Sequence, residues 1–147
     1  MNARRLLLLA ATPLAIASLA APAAAAVINV VKTASCGCCG KWVEHMKKAG
    51  HDVRVTNVED VTPTARRLGV PDDLRSCHTS SVGGYAIEGH VPAADIARLL
   101  RDKPKAAGLS VPGMAAGSPG MEMGSNKPPY QTIIFTRDGK RKVFAQH

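Results

Sequence analysis

The sequence predicts a single-domain α/β fold, and three observations carry that prediction. Short β-branched runs alternate with amphipathic stretches along the chain. Gly and Pro fall where helices open or stop. The length suits one core: of 147 residues, the first 26 read as an export leader, which leaves 121 for the folded part, enough for one compact domain. The leader is "MNARRLLLLAATPLAIASLAAPAAAA", with Arg4 and Arg5 as a basic start, an apolar run from Leu6, and Ala24-Ala25-Ala26 as a small-residue cleavage site. Its expected consequence is a mature chain beginning at Val27, with domain bounds 27–147.

Each element follows in order. "VINVVK", residues 27–32, is a β-branched run and reads as a buried strand. A loop with three cysteines comes next, and then "GKWVEHMKKAG" puts Trp42, Val43, Met46 and Ala49 on one face and stops at Gly50, an amphipathic helix. Trp42 is expected to pack in the core, because large aromatics dominate small cores. "HDVRVTNV" alternates as a second strand, and "TPTARRLG" is a short helix opened by Thr62 and Pro63. A third strand is expected around Val82 to Ile87. "VPAADIARLLRDKP" follows as a helix, with Pro92 near its first turn and Pro104 beyond its end. "YQTIIF" and "RKVFAQH" close the chain as strands joined by "TRDGK", whose Asp138-Gly139 is a hairpin signal. Between Gly108 and Pro129 the composition is too rich in Gly, Pro and Ser for regular structure, which predicts a long loop.

Charge narrows the partners. Taking Arg4 and Arg5 away with the leader lowers the formal charge from +8 to +6. The remaining Lys and Arg are spread along the chain, and no basic cluster is interleaved with the few aromatics. That pattern speaks for a solvated basic surface and against a nucleic-acid partner. Once the leader is cleaved, no membrane attachment is expected either.

The chemistry is concentrated in "TASCGCCGKW". Cys36, Cys38 and Cys39 stand at a strand-to-helix junction, where unpaired N–H groups favour a thiolate. Cys77 lies far downstream, followed by His78. Three readings compete. Cys36 and Cys39 form a C-x-x-C pair suited to thiol–disulfide exchange. An even cysteine count in an exported chain suits a structural disulfide. Adjacent thiols also bridge two soft ions well, and thiolates together with thioethers select Cu(I). Met114, Met121 and Met123 all lie in the long loop, so they either pin it to the domain or supply sulfur ligands. The loop before the third strand can return to the first strand-to-helix turn, which would bring Cys77 beside the other three and let His78 add an imidazole nitrogen. His90 either caps the helix near Pro92 or supports the site from behind it. His45 and His51 read as solvated, and His147 as a residue that would meet metal only adventitiously.

"CGCCGKW", "SCHTSSVGGYAIEGHVP", "GLSVPGMAAGSPGME" and "YQTIIFTRDGK" resemble, in that order, the motifs of the CopG-type periplasmic proteins of bacterial copper tolerance. The resemblance covers nearly all of residues 27–147. It implies a thioredoxin-like βαβαβα core with a C-terminal β-hairpin. It also implies several copper ions, Cu(I) above all, on bridging thiolates, and a Cu(I)/Cu(II) redox role that would make the chain a copper oxidoreductase. Cys36, Cys38, Cys39 and Cys77 are the implied ligands, with His78, Met114, Met121 and Met123 beside them. Other periplasmic copper-resistance proteins are the implied partners. Thioredoxin-like oxidoreductases place a cis-proline before the third strand. No proline lies between Asp72 and Val91 here, and Cys77-His78 stands where it would be expected, which favours a metal site over disulfide exchange.

Overall fold

The computed structural model describes residues 26–147; the leader, apart from Ala26, lies outside the described residues. The elements are β1 (Val27–Lys32), α1 (Gly37–Lys48), β2 (Asp52–Asn57), α2 (Thr62–Leu68), a 3-10 turn (Asp72–Leu74), β3 (His78–Val82), β4 (Tyr85–Gly89), α3 (Ala93–Asp102), β5 (Gly108–Val111), β6 (Gln131–Phe135) and β7 (Arg141–Gln146). The strands form one seven-stranded sheet in the order β2-β1-β3-β4-β5-β6-β7. β1 runs parallel to β2 and β4 to β5, and the other neighbours are antiparallel, so the sheet is mixed.

The period of two in the strands sorts their side chains onto two faces. Ile28, Val30, Val82, Ile87, Leu109, Val111 and Ile134 meet Trp42, Val43 and Met46 of α1 and Ile96 and Leu99 of α3 in one core. Ala86 and Phe135 face the other way and meet Ala65 of α2 together with Val70 and Leu74. The sheet is thus covered on both faces, each fully buried Ile or Leu contributing about 1.5–3 kcal/mol of transfer free energy. Among the described residues no helix is long and apolar enough to cross a membrane.

Four expectations need correction. α1 begins at Gly37, so Cys38 and Cys39 lie in its first turn and Cys36 is its N-cap; the helix opens earlier than the glycines suggested. Ala49 is the C-cap and is exposed rather than part of the apolar face. The single third strand is in fact two. Gly83 and Gly84 both take positive φ, +56° and +86°, which splits the segment into a β3–β4 hairpin of the kind that needs φ > 0 at both central residues. The expected loop also yields its first four residues, Gly108–Val111, to β5, a fully buried strand between β4 and β6. Its Leu109 and Val111 were hidden by the Gly, Pro and Ser that follow. The alternation in β2 was real, but β2 is an edge strand, where Val55 remains 43% exposed.

Candidate metal centre

Four local features converge at one end of the sheet. β1 delivers the chain to the start of α1, where Cys36, Cys38 and Cys39 sit. The 3-10 turn feeds β3 so that Cys77 and His78 arrive beside that turn, and β1 and β3 hold the register through the Lys32–His78 pair. β4 ends at Gly89 and presents His90. The loop after β5 closes over the top: a Cβ on Gly120 would stand 2.8 Å from both the Cys38 carbonyl oxygen and the Trp42 nitrogen, so only glycine permits that approach.

The four sulfurs form a ring. Cys36 and Cys39 are joined as a disulfide, and Cys38 and Cys77 are free. The Cys38 sulfur lies 3.5 Å from that of Cys36, the Cys77 sulfur 3.5 Å from that of Cys39, and the two free sulfurs 3.8 Å from each other. The distant Cys77 is therefore brought beside the CxCC turn. Two sulfurs on one tetrahedral ion lie about 3.8 Å apart when each metal–sulfur bond is near 2.3 Å, so the spacing suits a shared ion. A second set adjoins the first through Cys77. Its sulfur is 3.1 Å from His90 Nε2 and 3.5 Å from His78 Nδ1, and the ligand atoms of Cys77, His78 and His90 lie within 4.8 Å of one another.

Hydrogen bonding fixes one histidine's tautomer. The Pro119 carbonyl 2.8 Å from His90 Nδ1 can only accept, so Nδ1 carries the proton and Nε2 turns a lone pair toward Cys77. His90 thus ties the overlying loop to the thiol cluster. It does not cap α3, whose N-cap Pro92 has no side-chain cap bond. His78 is fully buried against Trp42, ring centroids 4.6 Å apart, and its Nε2 has no partner among the described residues. Burial first, then the neighbouring His90 and Lys32, pushes its pKa down to about 3, so it is a neutral imidazole at neutral pH. Burial likewise lowers His90. Burial, and after it the adjacent Cys38 sulfur, raises the Cys77 thiol to about 11. The metal-free cluster therefore holds Cys77 as a thiol, whose S–H has the His90 Nε2 lone pair as acceptor.

The loop methionines are placed differently. Met114 and Met123 are 60% and 70% exposed, and Met121 is half-buried. Exposure of that degree does not pin a loop to a core; the packing of the loop rests instead on Ser118 and Gly120, both buried. Trp42 is fully buried and donates from Nε1 to the Val91 carbonyl at 2.9 Å, so it both packs the core and borders the site through His78. Two of the other histidines have partners that the sequence did not suggest. His45 pairs with Glu122 of the loop at 2.8 Å, and His147 with Asp95 at 2.9 Å while stacking on Tyr130. His51 is half-buried rather than solvated, and its Nδ1 has no partner among the described residues. The contribution of His90 to the cluster had no spacing signal, because residues 77 and 90 meet only through the β3–β4 hairpin.

Comparison with known proteins agrees with this chemistry. A family of unknown function, DUF411, matches residues 74–121. Two solved structures named copper resistance protein copG, forms 2 and 1, are similar to the chain at 43% and 44% identity, with TM-scores of 0.79 and 0.78. The matches cover 83% and 82% of this chain and 98% and 96% of those chains. Curated proteins give no match.

Proposed function

The chain belongs to the CopG-type copper resistance family, and on that premise we propose that it is an exported copper-binding protein of copper tolerance, holding several Cu(I) ions on bridging cysteine thiolates. The observation that carries the reading is the ring of four sulfurs, with all ligand atoms within 4.8 Å of one another, next to two neutral imidazoles. Thiolates select a soft cation, and the adjoining nitrogens extend the site to a borderline one. A thioredoxin-like relationship is supported by the β1-α1-β2 unit with the cysteines at the start of α1, and a Cu(I)/Cu(II) redox role by the mixture of soft and borderline donors.

The full thiolate set requires the Cys36–Cys39 disulfide to be open, a two-electron reduction to two thiolates for which an external thiol or phosphine is the reductant. That disulfide, flanked by one free thiol at each sulfur, also favours a second reading, thiol–disulfide exchange through Cys36 and Cys39. Anaerobic Cu(I) titration of the reduced protein separates the two. Several equivalents per chain are expected; binding no higher than that of a cysteine-free variant would leave exchange as the function.

The methionines are tested by the triple change of Met114, Met121 and Met123 to leucine, which keeps their apolar bulk and removes sulfur. With two of the three exposed, the variant should fold normally. It is expected to keep most of its copper at neutral pH and to lose or oxidise it faster in air. Copper number, affinity and air stability equal to the parent's would remove the methionines from the site.

A further inference from the structure

β4 carries an ionisable group where a strand interior would normally be apolar. Glu88 is 0% exposed, between Ile87 and Gly89. Burial raises its pKa, so keeping the carboxylate there costs stability. What it receives in return is specific. Oε1 accepts the Ser76 backbone N–H at 2.7 Å, Oε2 accepts the Thr79 hydroxyl at 2.7 Å, and the Arg75 Nε stands 3.6 Å away. These partners bracket Cys77 from both sides. Thr79 is also the cross-strand neighbour of Glu88 in the β3–β4 ladder, so that anchor is in register. The Ser76 anchor is not part of a regular strand and has few other supports: its Oγ donates to the Gly113 carbonyl, and the Gly113 N–H donates to Arg75 at 2.9 Å.

We infer that Glu88 is the positioning residue of the copper site, its carboxylate reaching under β3 to hold Ser76 and Thr79 and so to fix the Cys77 sulfur against Cys38, Cys39 and His90. The inference rests on the copper-binding reading for its consequence but not for its geometry. Metal–ligand bonds tolerate displacements of only about 0.2 Å, and Cys77 enters from a turn rather than from a helix or the middle of a strand. Without the carboxylate, the Ser76 N–H loses its acceptor and the segment 75–77 is held to the fold chiefly by the surface bonds to Gly113. The role is one of reach: two acceptor oxygens at the right distance from β4, with charge secondary.

Three variants separate reach from charge. Glu88→Gln keeps the length and one carbonyl oxygen, and its amide N–H can donate to the Thr79 hydroxyl. Glu88→Asp keeps the charge and is one methylene too short. Glu88→Ala removes both. Two measurements are made on each: Cu(I) affinity of the reduced protein by competition with a Cu(I) chelator, and the rate of iodoacetamide alkylation at Cys77 relative to Cys38 in the reduced, metal-free protein, mapped by mass spectrometry. The expected order of affinity is parent, Gln, Asp, Ala, with Gln within about threefold of the parent and Ala down about 10–100-fold, the range seen when outer partners of metal ligands are removed. Cys77 alkylation should rise in the reverse order. Ile96→Val, in the α3 core, serves as a control that lowers stability without touching the site.

The inference is overturned if Asp outperforms Gln, if all variants match the parent in both measurements, or if the core control loses copper in proportion to its lowered melting temperature. Should Glu88→Ala fail to fold, the Gln and Asp pair decides. Should the parent bind no copper, the copper reading falls and the alkylation series alone tests the role of Glu88.

Discussion

Cys77→Ser is expected to reduce copper binding from several ions per chain to one or none, with the residual affinity lower on the order of 100-fold or more. Cys77 belongs to both ligand sets, the four sulfurs and the Cys77–His78–His90 group. A serine oxygen is a hard donor and does not replace a soft bridging thiolate. Cys36→Ser should be milder, because it removes one sulfur from one set and leaves Cys38, Cys39 and Cys77 reduced. The comparison is made anaerobically, with copper counted by elemental analysis after competition against a Cu(I) chelator. A Cys77→Ser protein with the parent's copper number and affinity would mean that the CxCC turn binds copper alone, and that the arrival of Cys77 beside it has no part in binding.

The position of Cys77 beside the other three cysteines was partly legible in the sequence. That an α/β chain can return its third-strand loop to the first strand-to-helix turn follows from the order of the elements, and it correctly brings Cys77 to the CxCC turn. Trp42, Val43 and Met46 were legible as one helical face because the 3.6-residue period leaves little choice, and Gly50 as a helix stop because glycine adopts at no steric cost the positive φ it takes there. What the sequence concealed depended on contacts between distant residues. The Gly83-Gly84 pair looked like part of a strand until its dihedral angles made it a turn. β5 was hidden because a four-residue strand carries too few residues to show a period, and its burial comes from neighbours on both sides. His90 read either as a cap of the helix near Pro92 or as a support behind the site, and no spacing chose between them. Its real partner, the Pro119 carbonyl, lies 29 residues away on an irregular loop whose path no local pattern predicts. Glu88 was silent for the opposite reason: a lone glutamate in "YAIEG" reads as a solvent-facing position, and only the covered second face of the sheet makes it buried.

Acid should destabilise the metal-free protein through His78 before it does so through the carboxylates. The folded-state pKa of His78 is depressed to about 3 from an ordinary 6.5. A group depressed in this way contributes stability that is fully present above its unfolded pKa and is lost as pH falls toward the folded value. The window therefore opens near pH 6.5 and closes near pH 3. Across all of it the loss is on the order of 5 kcal/mol, at about 1.36 kcal/mol per unit, against a typical domain stability of about 5–15 kcal/mol. His90, also lowered by burial, adds to the loss with the same sign. Glu88 opposes it: its pKa is raised, so its unfavourable contribution at neutral pH is relieved as pH falls through the raised folded value toward the ordinary carboxylate value, which softens the acid limb above the ordinary carboxylate range. From pH 6.5 to about 5 the histidines thus set the fall in stability, partly offset by Glu88, while carboxylates with ordinary pKa values near 4 have yet to titrate. Urea unfolding of the metal-free protein at half-unit steps should show stability falling through that interval, and His78→Phe, which keeps a ring against Trp42 and does not titrate, should remove most of the slope. A parent protein equally stable at pH 7 and pH 5, or a His78→Phe variant with an unchanged slope, would mean that His78 takes up its proton in the folded state with no opening of the core around it. Copper affinity should fall as well, and steadily across the whole range, because a Cys77 thiol at about 11 must give up its proton to bind at any of these pH values, whereas His78, neutral down to about 3, loses no nitrogen to protons within it.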